Sequence, residues 1–344
     1  MVLHTRLYPL PRPPRALLTH SSVTSAASST APTPDFSSED RLSDSDTDVD
    51  PEDLFSSFLQ IPHLFPDDVP QMHGNPGEYL LWESKKYGAL KIMVPSYPDQ
   101  KKSQDQSTDE ERQLQAHFLW SSGMVVAEGI EHADSDDCTG DADELWRVKG
   151  EKVLELGAGA ALPSLTAALA HASSVTITDH PSSPALLPGG SIHQNTTYNL
   201  ALHSPLPRTQ CEISVRPHEW GTLSSDDSWA VSNKGSYTRI IAADCYWMRG
   251  RHANLVSTMK WFLAPGGKIW TVAGFHSGRG VVVEFFKAAK AGGLVVERAW
   301  ERDLNSDIGE GEIRREWVEE REGEGVENRR RWCIVAVLGH AEDV

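Results

Sequence analysis

Residues 153–163 read VLELGAGAALP, an apolar run that meets two glycines and continues into small and apolar residues. This order predicts a buried strand, a tight turn at Gly157 and Gly159, and a helix after the turn. Glycines there let the backbone turn sharply and approach a ligand closely. The start of the following helix presents N–H groups to polar or anionic atoms. The stretch therefore predicts a strand–turn–helix unit that binds a small ligand.

Two features of this stretch narrow the choice of ligand. A dinucleotide site would have a third glycine in the pattern G-x-G-x-x-G, but Leu162 stands at that position. Glu155 lies two residues before the first glycine, where a carboxylate suits a ligand with an ammonium group. S-adenosylmethionine has an ammonium group and also a sulfonium, so we expect it as the cofactor. No metal is expected, because the fourteen histidines show no metal-ligand spacing.

Outward from this unit, short apolar segments alternate with helical stretches through the C-terminal half. The predicted strands are 152–156, 175–178, 212–216, 239–243, 268–273, 294–300 and 332–338. This rhythm predicts an α/β fold with a doubly wound, Rossmann-like, seven-stranded sheet that is mostly parallel. Residues 301–331 carry 11 acids and 7 bases, too many charges for a crossover helix, so the last strand is predicted to be antiparallel.

The N-terminal half predicts a smaller extension of the core. Residues 79–82 and 89–94 predict a β-hairpin around a turn at 85–88, and apolar positions from 110 to 130 recur at helical spacing. We therefore divide the chain into three parts by composition. They are a disordered tail (1–52), a hairpin and helix extension packed on the core (53–147), and the cofactor-binding core (148–344).

The first 34 residues contain arginines, serines and prolines but no acid, a composition typical of a mitochondrial transit peptide. Pro11, Pro13 and Pro14 would break the amphipathic helix that such a peptide needs. A disordered tail is therefore the preferred interpretation, and deletion of residues 1–50 should leave the melting temperature nearly unchanged. A cytoplasmic location is expected, with the nucleus and mitochondria as alternatives.

Charge and cysteine usage exclude several classes of partner. The net charge is −17, which disfavours nucleic acid because a strongly acidic protein repels phosphate backbones. No apolar run approaches the roughly 20 residues that span a bilayer. The four cysteines are far apart in sequence, which fits a reducing compartment. A neutral small molecule or a basic protein segment is the expected partner.

Two further strands end in residues suited to the cofactor. Asp179 ends the strand after the glycine turn, where a carboxylate can accept hydrogen bonds from both ribose hydroxyls. The alternative is a helix cap before His180 and Pro181. Trp220 follows the third strand and could either form a wall for an adenine ring or belong to the core.

The fourth strand ends in Ala243-Asp244-Cys245-Tyr246-Trp247. An aspartate followed by aromatic residues at this edge faces the place where a substrate would lie. The alternative is a structural Asp244 that bonds the next loop. Cys245 is a weak candidate nucleophile, because no Cys/His/Asp constellation can be assembled from the sequence.

The order and spacing of six motifs resemble a known family. They are HFLWSSGMVVAEGI (117–130), VLELGAGAALP (153–163), TDHP (178–181), HQNTTYNL (193–200), EWG (219–221) and ADCYW (243–247). The chain is similar to class I S-adenosylmethionine-dependent methyltransferases of family 16, the lysine methyltransferase group. Within it, the chain looks like a fungal branch that is described as nicotinamide N-methyltransferase-like and that includes an elongation-factor methyltransferase.

The resemblance implies roles by position. It implies cofactor contacts for Trp120, Glu155, Gly157, Ala158, Gly159, Asp179, Trp220 and Ala243. It implies that Asp244, Tyr246 and Trp247 lie where substrate and methyl group meet. Two positions depart from the family pattern: Ala161 replaces the third glycine, and Trp247 replaces a tyrosine or phenylalanine, which narrows or reshapes a lysine pocket.

Three functions remain open. The first is a protein N-methyltransferase that acts on a lysine or an N-terminal amine, with a translation factor as a candidate substrate. The second is a small-molecule N-methyltransferase, with nicotinamide or a similar N-heterocycle as substrate. The third is a cofactor-binding interaction module without catalysis. We expect a monomer in each case.

Overall fold

The computed structural model describes residues 3–10, 69–96, 118–135, 145–203, 211–224 and 227–341. The strands in these ranges are β1 (Leu7–Pro9), β2 (Met72–His73), β3 (Tyr79–Ser84), β4 (Gly88–Met93), β5 (Leu119–Trp120), β6 (Lys152–Glu155), β7 (Ser174–Asp179), β8 (Glu212–Pro217), β9 (Tyr237–Ala243), β10 (Leu263–Gly274), β11 (Leu294–Asp303), β12 (Arg314–Glu316) and β13 (Trp332–His340). The α-helices are α1 (Ser121–Ala133), α2 (Leu162–Leu169), α3 (Ser191–His203), α4 (Ser228–Ser232), α5 (His252–Phe262), α6 (Arg279–Ala291), α7 (Ile308–Gly311) and α8 (Val326–Arg330).

The main sheet has the strand order β12-β11-β13-β10-β9-β6-β7-β8. Its five strands from β10 to β8 pair in parallel, and β13 runs antiparallel to both neighbours. The doubly wound, mostly parallel fold with a reversed last strand is therefore confirmed. The expected strand count was wrong, because β12 adds an eighth strand beside β11. Three residues that read Arg-Arg-Glu give no alternating apolar signal for a strand.

The central strands β6 and β9 contribute to a core on both faces of this sheet. Val153 and Ile241 belong to one apolar cluster, together with α2 residues such as Leu165. Their strand neighbours Leu154 and Ile240 belong to a second cluster with α5 and α6. Successive strand residues point to opposite faces, so apolar runs such as VLEL are buried on both sides. This explains why the parallel strands could be recognised in the sequence as continuous apolar runs.

The chain order reverses at β6, which pairs with β7 on one side and with β9 on the other. In open α/β sheets such a switch point leaves a crevice beyond the carboxyl ends of the strands. Glu155, Asp179 and Ala243 are the last residues of β6, β7 and β9. The topology therefore brings three of the predicted site residues to one crevice.

The predicted hairpin is confirmed as β3 and β4, which form a separate three-stranded sheet with β1. Two asparagines of helix α3 form hydrogen bonds with the backbone of β4, the edge strand of this sheet. Asn199 accepts from the amide of Lys91 and donates to its carbonyl, each across 2.8 Å. Asn195 bonds the amide and carbonyl of Met93 in the same way, at 2.6 and 3.0 Å. The motif HQNTTYNL thus substitutes side-chain amides for a neighbouring strand at β4.

Helix α1 begins later than the sequence indicates. It starts at Ser121, whereas residues 118–120 form a bend and the short strand β5, and residues 110–117 lie outside the described residues. Trp120 is therefore not helical; it precedes the first turn with an extended backbone. Twelve of the thirteen residues of α1 are buried, and they include Glu128 and Glu131, whose charges need partners.

Residues 3–10 differ from the predicted disordered tail. Leu3–Arg6 form a 3₁₀ helix, and β1 pairs antiparallel with β3. The physical reason is Arg6, which is fully buried and donates to both carboxylate oxygens of Glu131 at 2.9 and 2.7 Å. The remainder of that predicted tail lies outside the described residues. Within the ranges described, no helix is long and apolar enough to cross a membrane.

Candidate functional site

A cavity lies at the carboxyl ends of β6, β7 and β9 and reaches the start of α1. Ten of the eleven residues predicted for the site line it: Trp120, Glu155, Gly157, Ala158, Gly159, Asp179, Trp220, Ala243, Asp244 and Trp247. They come from five separate segments of the chain, which the parallel topology brings together. Most of these residues meet because they follow the carboxyl ends of parallel strands, which lie at one edge of the sheet.

Tyr246 is the exception and does not line the cavity. Its side chain is buried, and its ring stacks on Phe285 of α6 with centroids 3.9 Å apart. Burial raises the pKa of its hydroxyl, which keeps the group protonated. The prediction of a catalytic Tyr246 was wrong, because this side chain belongs to the core beneath the site. Sequence proximity to Asp244 could not reveal the direction of the side chain.

The glycine turn has the backbone geometry that the sequence predicts. Gly157 and Gly159 have φ angles of +65° and +51°, a region that favours glycine. A Cβ atom at Gly157 would lie 3.2 Å from Cys245 Sγ and equally close to the Trp220 ring, so a side chain there would crowd the cavity. Ala161 has a φ of +55° and adopts the same strained conformation with a Cβ atom.

Glu155 is buried, with 2% of its surface exposed. Its Oε2 accepts from the backbone amide of Ser164 at 3.0 Å, which satisfies an amide in the first turn of α2, where the N-cap residue supplies no side-chain bond. Burial raises the pKa of Glu155 to about 8, the bonds from Ser164 oppose this shift, and the negative charge of Asp179 adds to it. A cationic ligand would favour the ionised form.

Asp179 connects the second strand to the glycine turn. Its Oδ2 accepts from the amide of Gly159 at 2.9 Å, and its Oδ1 accepts from the amide of His180 at 2.7 Å. The bond to His180 stabilises the turn after β7 and does not cap a helix, since the next helical turn begins only at Pro184. Asp179 is only half buried and lines the cavity, so a carboxylate with four acceptor sites can also receive ligand hydroxyls.

Trp220 both lines the cavity and packs on the core. Its ring lies beside Gly157 and lines the cavity. The same residue packs against the second core cluster, and its carbonyl accepts from Asn254 Nδ2 at 3.1 Å. A rigid aromatic wall at this position suits a flat ring in the cavity.

Asp244 carries the most informative geometry of the site. It has a φ of +58° and is 7% exposed, and its amide donates to the carbonyl of Val272 at 2.7 Å. Its Oδ1 lies 2.8 Å from Nε2 of His276. Its Oδ2 is buried and accepts no hydrogen bond from the described residues. A buried carboxylate oxygen without a donor is costly, so a ligand donor is expected there.

His276 was missed by the sequence reasoning. It lies in a 3₁₀ turn directly after β10, at the same edge of the sheet as Asp244, and its ring stacks on Trp120 with centroids 4.4 Å apart. His276 also follows the carboxyl end of a strand, so the reasoning that assigned Asp179 and Asp244 to the site could have included it. It was overlooked because His276 lies outside the six family motifs.

Cys245 lines the cavity but is not a nucleophile. Its thiol donates to the carbonyl of Leu156 at 3.3 Å, and burial, reinforced by the charge of Asp244, raises its pKa well above the usual value. The thiolate that would attack a substrate is therefore disfavoured. Nor do the described residues contain a group of three side chains that could hold a metal ion.

Comparison with known proteins adds to this geometry. A model of a lysine methyltransferase family matches residues 100–291, which is more than half of the chain. The protein N-terminal and lysine N-methyltransferase EFM7 of Gibberella zeae is 30% identical over 207 residues, which cover 56% of this chain and 71% of that protein. The protein of the same name from Yarrowia lipolytica is 29% identical over 192 residues, or 52% of this chain and 64% of the relative, slightly under two thirds of its length.

A third relative, the efm7 protein of Schizosaccharomyces pombe, is 27% identical over 237 residues, covering 65% of this chain and 82% of that protein. A solved TehB-like methyltransferase from Corynebacterium glutamicum is 16% identical with a TM-score of 0.36, covering 56% of this chain and 81% of the other; at that score the likeness carries no weight. The family match and the relative from Gibberella zeae suffice without it. The chain belongs to the lysine methyltransferase family whose model matches residues 100–291.

Proposed function

We propose that this chain is an S-adenosylmethionine-dependent protein N-methyltransferase that acts on a lysine side chain or an N-terminal α-amine. The proposal is supported by the comparisons with known proteins and by the geometry of the site. Membership of a lysine methyltransferase family supports the reaction, and the names of the relatives specify the same two amine acceptors. The observation that carries the proposal is the buried Oδ2 of Asp244, which lacks a donor among the described residues.

The cavity fits the cofactor. Glu155 offers a carboxylate for the ammonium group, Asp179 offers acceptors for the ribose hydroxyls, and Trp220 offers a wall for the adenine. Gly157 leaves the space that a Cβ atom would take. When bound, the cofactor supplies a methyl group made electrophilic by its sulfonium. The protein's own contribution is to bind, align and exclude water.

The acceptor amine must lose a proton before its lone pair can attack. Asp244 Oδ2 can accept a hydrogen bond from the amine and so direct the lone pair away from itself. Trp247 and Met248 line the same cavity, and an apolar surround disfavours the charged ammonium and lowers its pKa. The amine would therefore give up its proton to bulk water before it enters this apolar surround, and Asp244 would then orient the neutral amine.

The same observation weighs against nicotinamide. The nucleophilic pyridine nitrogen has no hydrogen to donate, so it would leave Asp244 Oδ2 without a partner at the reacting atom. A lysine or α-amine has such a hydrogen. A non-catalytic module would have no use for a buried, half-satisfied carboxylate beside the cofactor cavity. The net charge of −17 further supports a basic protein segment as substrate.

The finer parts of the proposal concern the biological setting. We propose a translation factor as substrate, a monomer as the active form, and the cytoplasm as the place of action. The translation factor follows from the resemblance that the sequence motifs carry, and the cytoplasm agrees with the widely spaced cysteines.

The test supplies radiolabelled S-adenosylmethionine to the purified protein with two acceptors in parallel: a cytosolic extract that lacks the enzyme, and nicotinamide. The matched variant is Asp244→Asn, because asparagine keeps the shape and tolerates positive φ. We expect a labelled protein band from the wild type, a much weaker band from the variant, and the same cofactor affinity in calorimetry for both. Label only in a small product would favour nicotinamide.

A second step separates the two amine classes. Peptides cut from the labelled protein are compared with forms whose α-amine is acetylated or whose lysines are replaced by arginine. Loss of transfer upon acetylation assigns the N-terminus, and loss upon lysine replacement assigns the side chain. Cofactor binding without transfer to any protein or to nicotinamide would contradict the proposed function.

A further inference from the structure

We propose that His276 is a positioning residue for methyl transfer: it holds one oxygen of Asp244 so that the other oxygen receives the acceptor amine. This inference rests on the proposed function and assigns a role to a residue that none of the sequence motifs contains. Three observations carry it: the bond to Asp244, the stacking on Trp120, and the anchoring of the turn that bears His276.

The first observation is the bond itself. His276 Nε2 lies 2.8 Å from Asp244 Oδ1, and the two side chains are only 3% and 4% exposed. An ionised carboxylate can only accept, so Nε2 must carry the hydrogen. Nδ1 lies 3.0 Å from the hydroxyl of Ser277, which can donate to it in the neutral ring. The imidazole thus has a partner at each nitrogen, which fixes its orientation.

The second observation is that Trp120 covers the imidazole. The two rings stack with centroids 4.4 Å apart and an interplanar angle of 27°. Trp120 lies at the end of β5 and lines the cavity. The ring of His276 therefore contacts both a carboxylate and an indole, and any turn of the ring loses at least one of these contacts.

The third observation concerns the turn that carries His276. Its neighbour Phe275 is buried and stacks on Trp317, with centroids 5.9 Å apart and planes 9° apart. The guanidinium of Arg279 lies 4.5 Å from the Phe275 ring and bonds Glu301 and Glu324. These contacts fix the backbone of the turn, so they fix His276.

The consequence is an asymmetric carboxylate. Asp244 has a strained backbone with a φ of +58°. Its backbone amide donates a hydrogen bond to the carbonyl of Val272. A bond from His276 to Oδ1 stops rotation of the carboxyl group and leaves Oδ2 as the acceptor for substrate. Loss of the bond should reduce the alignment of the amine more than its affinity, since small misplacements of reacting groups mainly reduce rate.

The kinetic test compares His276→Leu, which removes the donor, with His276→Gln, whose amide nitrogen can replace Nε2. The matched control is His340→Leu, at the opposite edge of the sheet, which also loses one hydrogen bond, to the Leu263 carbonyl. We expect His276→Leu to lower kcat by about 10- to 100-fold, the range for a hydrogen bond to a charged group. KM for the peptide and the melting temperature should match those of the control, and His276→Gln should recover much of kcat.

Either of two results would overturn the assignment. One is a kcat for His276→Leu close to that of the wild type. The other is a loss in His276→Gln as large as in His276→Leu, accompanied in both by a lower melting temperature than in His340→Leu, which would make the role purely structural.

A second readout does not depend on turnover, so it separates failure of this inference from failure of the proposed function. Sinefungin carries an amine where the cofactor carries its methyl group, whereas S-adenosylhomocysteine carries neither. Calorimetry should show that the wild type prefers sinefungin, and that His276→Leu reduces this preference by about tenfold. A ratio of the two Kd values that His276→Leu leaves unchanged would remove His276 from the site, even if the wild type transferred no methyl group.

Discussion

The backbone amide of Gly159 donates to Oδ2 of Asp179 across 2.9 Å, so the carboxylate at the end of β7 holds the glycine turn at the end of β6. One side chain therefore has two tasks. It shapes the turn that admits the cofactor, and it stands where ribose hydroxyls would bind. Any substitution of Asp179 acts on both at once.

Replacement of Asp179 by alanine should weaken cofactor binding by about 1–3 kcal/mol, the range for lost charge-assisted hydrogen bonds. Asp179→Asn keeps one carbonyl acceptor for Gly159 and should lie between alanine and the wild type. Calorimetry with S-adenosylhomocysteine measures all three. An unchanged Kd in the alanine variant would show that Asp179 neither binds the cofactor nor matters for the turn.

Glu155 predicts a pH dependence of binding. Burial raises its pKa to about 8 in the free protein, so the carboxyl group is mostly protonated near pH 6.5. A cationic ligand favours the carboxylate, so binding releases a proton and affinity should rise with pH, by up to about tenfold per unit below pH 8. Affinity measured from pH 6 to 7.5 should show this slope, and Glu155→Gln should be flat. Equal slopes in both proteins would place the cation elsewhere.

The same shift has a consequence for the stability of the free protein. The folded state holds the Glu155 proton more tightly than the unfolded chain, whose carboxyl pKa is about 4.3. The contribution of this group to stability is therefore fully present below that value and is lost as pH rises toward 8. Urea unfolding at pH 6 and pH 8 should show a smaller decrease for Glu155→Gln than for the wild type.

Ala161 marks a position where the backbone favours glycine. Its φ of +55° costs an L-residue roughly 1–2 kcal/mol, and only part of this is offset by the greater entropy of glycine in the unfolded chain. Ala161→Gly should therefore raise the free energy of unfolding by about 0.5–1 kcal/mol in urea titration. Ala168→Gly, inside α2, is the control and should lower it by about 1 kcal/mol or more. Similar losses in both variants would show that no strain is stored at Ala161.

The sequence was sufficient to predict the site residues that follow the parallel strands. It was not sufficient to predict features that depend on contacts between residues far apart in the chain. Glu155, Asp179 and Asp244 could be placed together because the carboxyl ends of parallel strands meet at one edge. His276 obeys the same rule but has no motif around it. Tyr246 was misplaced because a residue after a strand can point into the core or into the crevice, and the strained turn at Asp244 decides which.

The N-terminus was misread for a related reason. Composition treats residues 1–34 as one group, but a single arginine with a distant partner changes the structure of residues 3–10. Arg6 and Glu131 are separated by 125 positions, so no local pattern links them. Composition also gave no sign that α1 would bury acids.

Arg6 should therefore contribute strongly to stability. Its guanidinium bonds Glu131, donates to the carbonyl of Glu83 at 2.8 Å, and lies 4.2 Å from the Trp82 ring. Arg6→Ala leaves a buried carboxylate without its cation, at a cost of about 3–5 kcal/mol. That corresponds to a fall of at least about 6 °C in melting temperature. Deletion of residues 1–10 should have a similar effect, contrary to the expectation for a disordered tail.

Two further variants decide whether the pair itself is responsible. Tyr8→Ala is the control, because Tyr8 lies on the same strand β1 with 43% of its surface exposed, and it should change the melting temperature little. Arg6→Met combined with Glu131→Leu removes both charges and should recover most of the loss, since apolar replacement of a buried pair is far less costly than removal of one partner. If the double variant were no more stable than Arg6→Ala, the packing of the Arg6 side chain, and not its ion pair with Glu131, would stabilise the N-terminal segment. Equal melting temperatures for Arg6→Ala and Tyr8→Ala would show that the segment does not pack on the domain in solution.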